Sequence, residues 1–353
     1  MSECELAQAG ERGWDVVVIG GGAAGLSAAL NLARVRRSVL VIDAGEPRNA
    51  PADDVGAHGI LGRDGISPLE LLRLGRKEVA SYDGRVVSGR VVRIHRDGAQ
   101  FSVVTEGGYR VRARRVLLAT GLIDELPDVP GLAERWGRDV LHCVYCHGWE
   151  IRDTPIGVLG SFHQALLFRQ MSEDVTLFRH TEAELAYGEW EQLASLGVAV
   201  VDGEVTGLEI DDEDRLAGVR LASGTVVPVR ALAVAPRFVA RADFLDGLGL
   251  TRRGHPTGAG EQLQVDRSGF TGVPGVWAAG NISDVFAGVP AAAAAGVTAA
   301  AAIHMDLLTA DARAAAVSWA AGGGVFSGPV EAEVSRRARG VRAHGLDPHP
   351  GSS

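Results

Sequence analysis

Two of the three cysteines in this 353-residue chain stand in one short stretch, His142-Cys143-Val144-Tyr145-Cys146-His147-Gly148-Trp149-Glu150. A Cys-x-x-Cys pair closes into a small, reducible disulfide, and a helix start or a neighbouring imidazole stabilises the thiolates that open it. Redox chemistry is the first reading, with Cys143 and Cys146 as reacting sulfurs and His142 and His147 as candidate bases. Either histidine is a spectator if a helix start alone lowers the thiol pKa. Structural zinc needs a second cysteine knuckle, and the remaining cysteine is Cys4 in a ragged N-terminus, so no metal is expected. Cys143 to His147 also fits the c-type haem attachment pattern, which requires export. The N-terminal stretch lacks a basic start followed by an apolar run and a cleavage site. A pair of inert buried thiols is the bland alternative, and the flanking histidines speak against it.

The rest of the chain must position this pair. A hydrophobic share of 46%, a charged share of 22% and a net charge of −9 describe a globular chain with no electrostatic footprint for nucleic acid. The Ala-rich stretch near residue 300 is interrupted by Gly296, His304 and Asp306, so no membrane span is expected, and the location expected is the cytoplasm.

Upstream, Val16-Val17-Val18-Ile19 reads as a buried strand and runs directly into Gly20-Gly21-Gly22-Ala23-Ala24-Gly25. A helix over Leu26 to Ala33 and a second strand, Ser38 to Ile42, ending on Asp43, complete a dinucleotide-binding unit. Gly20 makes the turn, Gly22 admits a pyrophosphate to the backbone ahead of Ala23, Gly25 lets helix pack on strand, and Asp43 accepts from a ribose hydroxyl. The following loop offers Arg48, Asn49 and His58 as residues that reach over a bound cofactor. Residues 86–121 read as an antiparallel meander returning to the main sheet at Ala119-Thr120-Gly121.

The plan then repeats, with a strand over Ile156 to Leu159, a helix from Gln164 to Met171, a strand over Val175 to Phe178 and another over Ala231 to Ala235. The fold class is therefore α/β, two Rossmann-like dinucleotide-binding domains in tandem, with the dithiol at the start of the second. The second phosphate turn is worn: Gly160 stands for Gly20, but Phe162 for Gly22 and Ala165 for Gly25. A side chain at Phe162 obstructs the pyrophosphate, and where the first unit has Asp43 the second has Arg179-His180, cations that suit a 2′-phosphate. A nicotinamide cofactor is therefore doubtful. A strand closing on Gly280-Asn281 precedes a helix from about Pro290, and residues 320–353 are expected to be disordered.

With these stretches in place, the chain resembles the low-molecular-weight thioredoxin reductases from about Trp14 to Leu308. The motifs that carry the resemblance are Gly20-x-Gly22-x-x-Gly25, Ala119-Thr120-Gly121, Cys143-x-x-Cys146 and Gly275-Val276-Trp277-Ala278-Ala279-Gly280. The resemblance implies a discontinuous FAD-binding domain over 13–122 and 243–315, an inserted NADPH-domain-like module over 123–242 that carries the dithiol, and a homodimer. It also implies that Cys146 faces the flavin and Cys143 meets the substrate. The chain departs from the reductase pattern in having His147 where a carboxylate is usual, Asn281 where an aspartate is usual, a degraded nicotinamide turn and a single Arg179. Cys-x-x-Cys-His-Gly-Trp-Glu instead looks like the dithiol oxidases of gliotoxin, holomycin and romidepsin biosynthesis, flavoenzymes that pass electrons from a small dithiol to O2. That implies oxidation of a small-molecule dithiol, with an NADPH-dependent reductase of a thioredoxin-like protein second and a flavin redox sensor third.

Overall fold

The computed structural model describes residues 9–10, 13–321 and 328–339. The chain divides into two compact units, Met1–Ile303 and His304–Ser353. The first unit opens with β1 (Gly13–Ile19), helix Ala23–Arg34 and β2 (Val39–Asp43). Helix Pro68–Ala80 and strands β3 (Arg85–Ser88), β4 (Val91–Asp97), β5 (Gln100–Thr105) and β6 (Arg110–Leu118) follow. β1 is nearly all apolar because it is central, paired in parallel with β2 on one side and β6 on the other. The sheet runs β3-β2-β1-β6-β5-β4, and the β4-β5-β6 meander is antiparallel, as its turn residues predict. Helix Pro68–Ala80 begins where Ser67 accepts from the Glu70 amide at 3.1 Å with proline next in line.

β7 (Leu122–Glu125) leads to β8 (Val140–Leu141), helix Val144–His147 and β9 (Ile156–Leu159). Helix Phe162–Phe168, β10 (Val175–Phe178), helix Tyr187–Leu196 and β11 (Ala199–Val201) come next. The antiparallel β12 (Val205–Ile210), β13 (Leu216–Leu221) and β14 (Val226–Val227) precede β15 (Ala231–Val234) and β16 (Arg237–Ala240). The second sheet, β11-β10-β9-β15-β8, is parallel and has apolar clusters on both faces, one around Phe178 and Val219, the other around Phe168 and Leu193. β7 and β16 pair antiparallel as the chain leaves the first sheet and returns. β17 (Arg252–Gly254) and β18 (Gly260–Leu263) extend that pair into a small sheet, and β19 (Val276–Ala278) rejoins the first sheet beside β6. A chain that leaves one mixed sheet, builds a second, parallel one and returns has the α/β architecture expected.

Two expectations are corrected. Helix Val289–Ala321 is 33 residues long, and its Val289–Trp319 stretch is long and apolar enough to cross a membrane, because alanines rather than polar residues fill its length. Its first half nevertheless packs inside the first unit: a Cβ on Gly296 would stand 2.1 Å from the Ala24 carbonyl oxygen, and Ala299, Ala300 and Ile303 are buried. Core packing explains the composition of that first half, while Met305, Leu308, Val317 and Trp319 further along are exposed. Within the expected disordered tail, Gly328–Arg339 is helical, supported by Glu333 ion pairs to Arg336 and Arg337, both at 2.7 Å. Residues 322–327 and 340–353 of that tail lie outside the described residues, as does Cys4.

Candidate active site

The dithiol stretch starts as β8 ends. Cys143 heads the one-turn helix Val144–His147, and its carbonyl accepts from the Cys146 and His147 amides at 3.2 and 3.1 Å. That turn brings the sulfurs together: Cys143 and Cys146 form a disulfide with Cα atoms 5.2 Å apart. Cys146 is exposed and Cys143 half-buried, so the bond is open to a nucleophile. Tyr145 and Trp149 stand exposed beside it, with the Arg152 guanidinium 4.1 Å above the Trp149 ring. A single helical turn sums few peptide dipoles, so thiolate stabilisation has to come largely from neighbouring side chains.

The two histidines have different surroundings. His142 Nδ1 faces the Val234 carbonyl at 3.1 Å, Gln164 bridges to the His142 carbonyl at 2.9 Å, and the ring stands edge-on to Phe238 at 5.3 Å. Burial pushes its pKa below the usual imidazole value, and its hydrogen bonding is directed into the second sheet. His147 is buried too, and burial likewise lowers its pKa. Its backbone hydrogen bond is to Gly137, while its Nε2 is buried without a partner. A neutral ring donating from Nδ1 to the Gly137 carbonyl keeps a lone pair on that Nε2.

The loop after β2 is expected over a cofactor, and the structure commits much of it to β7, β16 and the dithiol stretch. Arg48 makes a bidentate pair with Asp124, 2.8 and 2.7 Å, and stacks 5.0 Å over Phe238. A guanidinium held by a carboxylate and a ring is spent on tying the loop to β7 and β16. Asn49 heads the turn Ala50–Ala52, whose Pro51 fits under Gly137: at φ +84°, a Cβ there would lie 2.6 Å from the proline Cβ. His58 reaches the dithiol stretch itself, its Nε2 3.4 Å from Glu150 and its Nδ1 3.2 Å from Asp64.

The first nucleotide turn is shaped for a phosphate. A Cβ on Gly20, at φ +103°, would come 2.3 Å from the Ala119 carbonyl oxygen, and one on Gly25 would come 2.0 Å from the Gly20 carbonyl oxygen. A Cβ on Gly22 would meet nothing within 4 Å. Two glycines thus permit packing, while the third faces open space at the cap of a 12-residue helix that begins at Ala23, with no side-chain cap bond and no acid in its first turn. Asp43 accepts from the Gly21 amide at 3.0 Å and pairs with Arg76. The donor set fits the pyrophosphate and ribose of a dinucleotide. The other expected contacts are partly diverted. Thr120 donates its hydroxyl to the Arg241 carbonyl at 2.8 Å beside Gly121, and the Asn281 amide donates to the Asp284 and Ala287 carbonyls, bracing the loop after Gly280.

The second turn differs. Ser161 caps helix Phe162–Phe168 through the Gln164 amide at 3.3 Å, and the Glu182 side chain lies 2.9 Å from where a Cβ on Gly160 would stand. Arg179 is paired with Asp202 at 2.7 Å and Glu184 at 3.6 Å, and His180 Nδ1 accepts from the Val205 amide at 3.0 Å. Both side chains are already engaged.

A redox disulfide in a chain with one open dinucleotide turn and one covered one defines the class, and the chain belongs to the pyridine nucleotide-disulphide oxidoreductase family, whose model matches residues 14–297. It is an oxidoreductase of thioredoxin reductase-like type, a membership that implies a flavin. It is 33% identical to "Thioredoxin reductase tcpT" of Claviceps purpurea over 80% of this chain and 90% of that protein. It is 31% identical to "Thioredoxin reductase sirT" of Leptosphaeria maculans over 84% and 95%. Among solved structures it is similar to HlmI, at 45% identity and a TM-score of 0.82 over 88% of this chain and 98% of that one. An oxidoreductase from Agrobacterium tumefaciens gives 35% and 0.78 over 84% and 99%.

The sequence reading missed three contacts. Glu150 was inside the quoted motif and His58 in the following loop, but nothing local says they meet. Arg76 carries no signal as a helical arginine. Gly296 within an alanine helix was a readable sign of close backbone approach.

Gly22→Val tests the flavin turn cleanly. The position has space and an ordinary backbone conformation, so folding should lose only about 1 kcal/mol for a poorer cap. The variant is expected to keep the wild-type circular dichroism and purify colourless; a yellow, fully loaded variant would refute the assignment.

Proposed function

We propose that the protein is an FAD-dependent thiol-disulfide oxidoreductase that oxidises a small-molecule dithiol to its disulfide, with O2 as final acceptor. FAD would be held by Gly20, Gly22, Ala23, Gly25 and Asp43, with Gly121, Gly280 and Asn281 shaping the rim. The observation that carries the reading is the second nucleotide turn, where Glu182 covers Gly160 and both Arg179 and His180 are engaged while the disulfide stays accessible. The exposed Tyr145 and Trp149 suit a compact apolar dithiol. Assembly as a homodimer in the cytoplasm belongs to this reading and rests on the resemblance. The competing reading, an NADPH-dependent reductase acting on a thioredoxin-like protein, draws support from the names of the relatives.

The chain's own chemistry is thiol-disulfide exchange. A substrate thiol gives up its proton, with His147 the candidate base, and the thiolate attacks Cys143 Sγ. The Cys143–Cys146 bond breaks, its electron pair staying on Cys146 Sγ as thiolate. The second substrate thiol, deprotonated in turn, attacks the substrate sulfur of the mixed disulfide and releases Cys143 Sγ. The substrate loses two electrons, the cysteines gain them, and two protons are set free. A bound flavin supplies the acceptor that returns the cysteines to the disulfide and hands the electrons to oxygen. With dithiothreitol in air, the loaded protein should consume O2 and form one peroxide per disulfide closed. Absence of oxygen uptake would remove the oxidase reading.

A further inference from the structure

Each turnover of that exchange frees two protons next to His147, a ring with one open nitrogen and no water-facing side of its own. Glu150, three residues on, forms an ion pair outside the stretch. Its Oε1 lies 3.4 Å from His58 Nε2, and the His58 Nδ1 lies 3.2 Å from Asp64 Oδ2. Asp64 is fixed by accepting from the Gly59 amide at 2.7 Å and is 66% exposed. We propose that Glu150, His58 and Asp64 form the proton outlet of the dithiol site, carrying protons from His147 to solvent across the loop that follows β2. This rests on the exchange chemistry proposed above.

Three features carry it. First, everything around the His58 ring accepts: Asp64 at Nδ1, and Glu150 and the Val55 carbonyl, 3.3 Å away, at Nε2. A ring flanked by acceptors on both nitrogens is satisfied as imidazolium, and the Asp64 hydrogen bond raises its pKa ahead of the Glu150 charge. An imidazolium releases a proton from one nitrogen and takes one at the other, which an arginine or lysine does not do near neutral pH. Second, the groups that bear on His147 are the same set: Glu150 favours its protonated form, His58 opposes it, and the Gly137 carbonyl holds the ring. Burial disfavours the protonated His147 ring and Glu150 offsets only part of that, so the ring gives a proton up readily, and the charge on His58 acts in the same sense. Third, His147 is buried while the side chains of Glu150, His58 and Asp64 are 30%, 22% and 66% exposed, so the line runs from the interior to water.

A cationic clamp between loop and dithiol stretch would show the same contacts, so the test must separate the two. His58→Arg keeps the charge and donors for Asp64 and Glu150 but cannot shuttle a proton. FAD-loaded wild type, His58→Arg, His58→Gly and Glu150→Gln are mixed anaerobically with excess dithiothreitol and followed at the flavin absorbance, with loading and thermal midpoint measured in parallel. The expected result is a first-order rate reduced by about 10- to 100-fold in all three variants, the modest end of proton-transfer catalysis. The half-saturating dithiol concentration should not change, and millimolar imidazole should restore His58→Gly but not His58→Arg. A wild-type rate in His58→Arg, or no response of His58→Gly to imidazole, overturns the outlet. Failure of the wild type itself to bleach with dithiol would instead sink the dithiol chemistry, so the two failures are distinguishable.

Discussion

Stoichiometric NADPH, added without oxygen, is expected to leave the flavin of the loaded protein oxidised, while dithiothreitol bleaches it at a rate at least about 100-fold higher. The difference comes from comparing two turns of one chain. At Gly22 the backbone faces open space and the helix behind it carries no acid in its first turn. At Gly160 the Glu182 side chain occupies the approach, and the helix N-terminus is partly satisfied by Ser161. Arg179, which would meet a 2′-phosphate, already faces Asp202 and Glu184, so the incoming phosphate meets two carboxylates with one shared cation. Like charges 4 Å apart cost about 1 kcal/mol in water and about 4 kcal/mol at the effective dielectric of a protein surface. Two such contacts and a covered turn outweigh a single arginine. Glu182→Ala with Asp202→Asn should raise whatever NADPH reduction exists. Rapid bleaching of the wild type by one equivalent of NADPH would overturn the oxidase reading and establish the reductase.

That contrast was half legible in the sequence. Loss of two glycines, Phe162 for Gly22 and Ala165 for Gly25, showed that the second turn was worn, because glycine spacing is a local code. The engagement of Arg179 and His180 was not legible. Their partners Asp202 and Val205 lie in and beyond the next connection, and Glu182 covers Gly160 only after the chain turns back at Arg179. The same rule separates what was and was not read elsewhere. β1, β2, β9 and β10 were visible as short apolar runs, and the meander as Gly-marked turns. Arg48, expected over a cofactor, instead crosses to Asp124, and the Thr120 hydroxyl to Arg241, because β7 and β16 bring together residues far apart in sequence. Contacts of that range are set by topology, and a single sequence does not encode them locally.

Replacing either cysteine of the pair is expected to abolish dithiol oxidation, with Cys143→Ser, Cys146→Ser and the double variant all falling to one floor at least about 1,000-fold below wild type. They reach the same floor because the two sulfurs act as one oxidant. Without Cys143 the substrate thiolate has no disulfide to attack, and without Cys146 no sulfur receives the electron pair when that bond would break. Serine preserves the turn, since the helix start is held by the Cys143 carbonyl and not by its side chain. Folding and flavin loading should therefore stay at wild-type values, which separates lost chemistry from lost structure. Thiol counting in denaturant gives an independent reading: of three cysteines, the oxidised wild type should show one free thiol and the reduced protein three. Cys4→Ser should remove that one reactive thiol and leave turnover unchanged. If Cys143→Ser turned over near the wild-type rate, the flavin would have to take electrons from the substrate directly. The disulfide, and with it the proton outlet through Glu150 and His58, would then be outside the catalytic path.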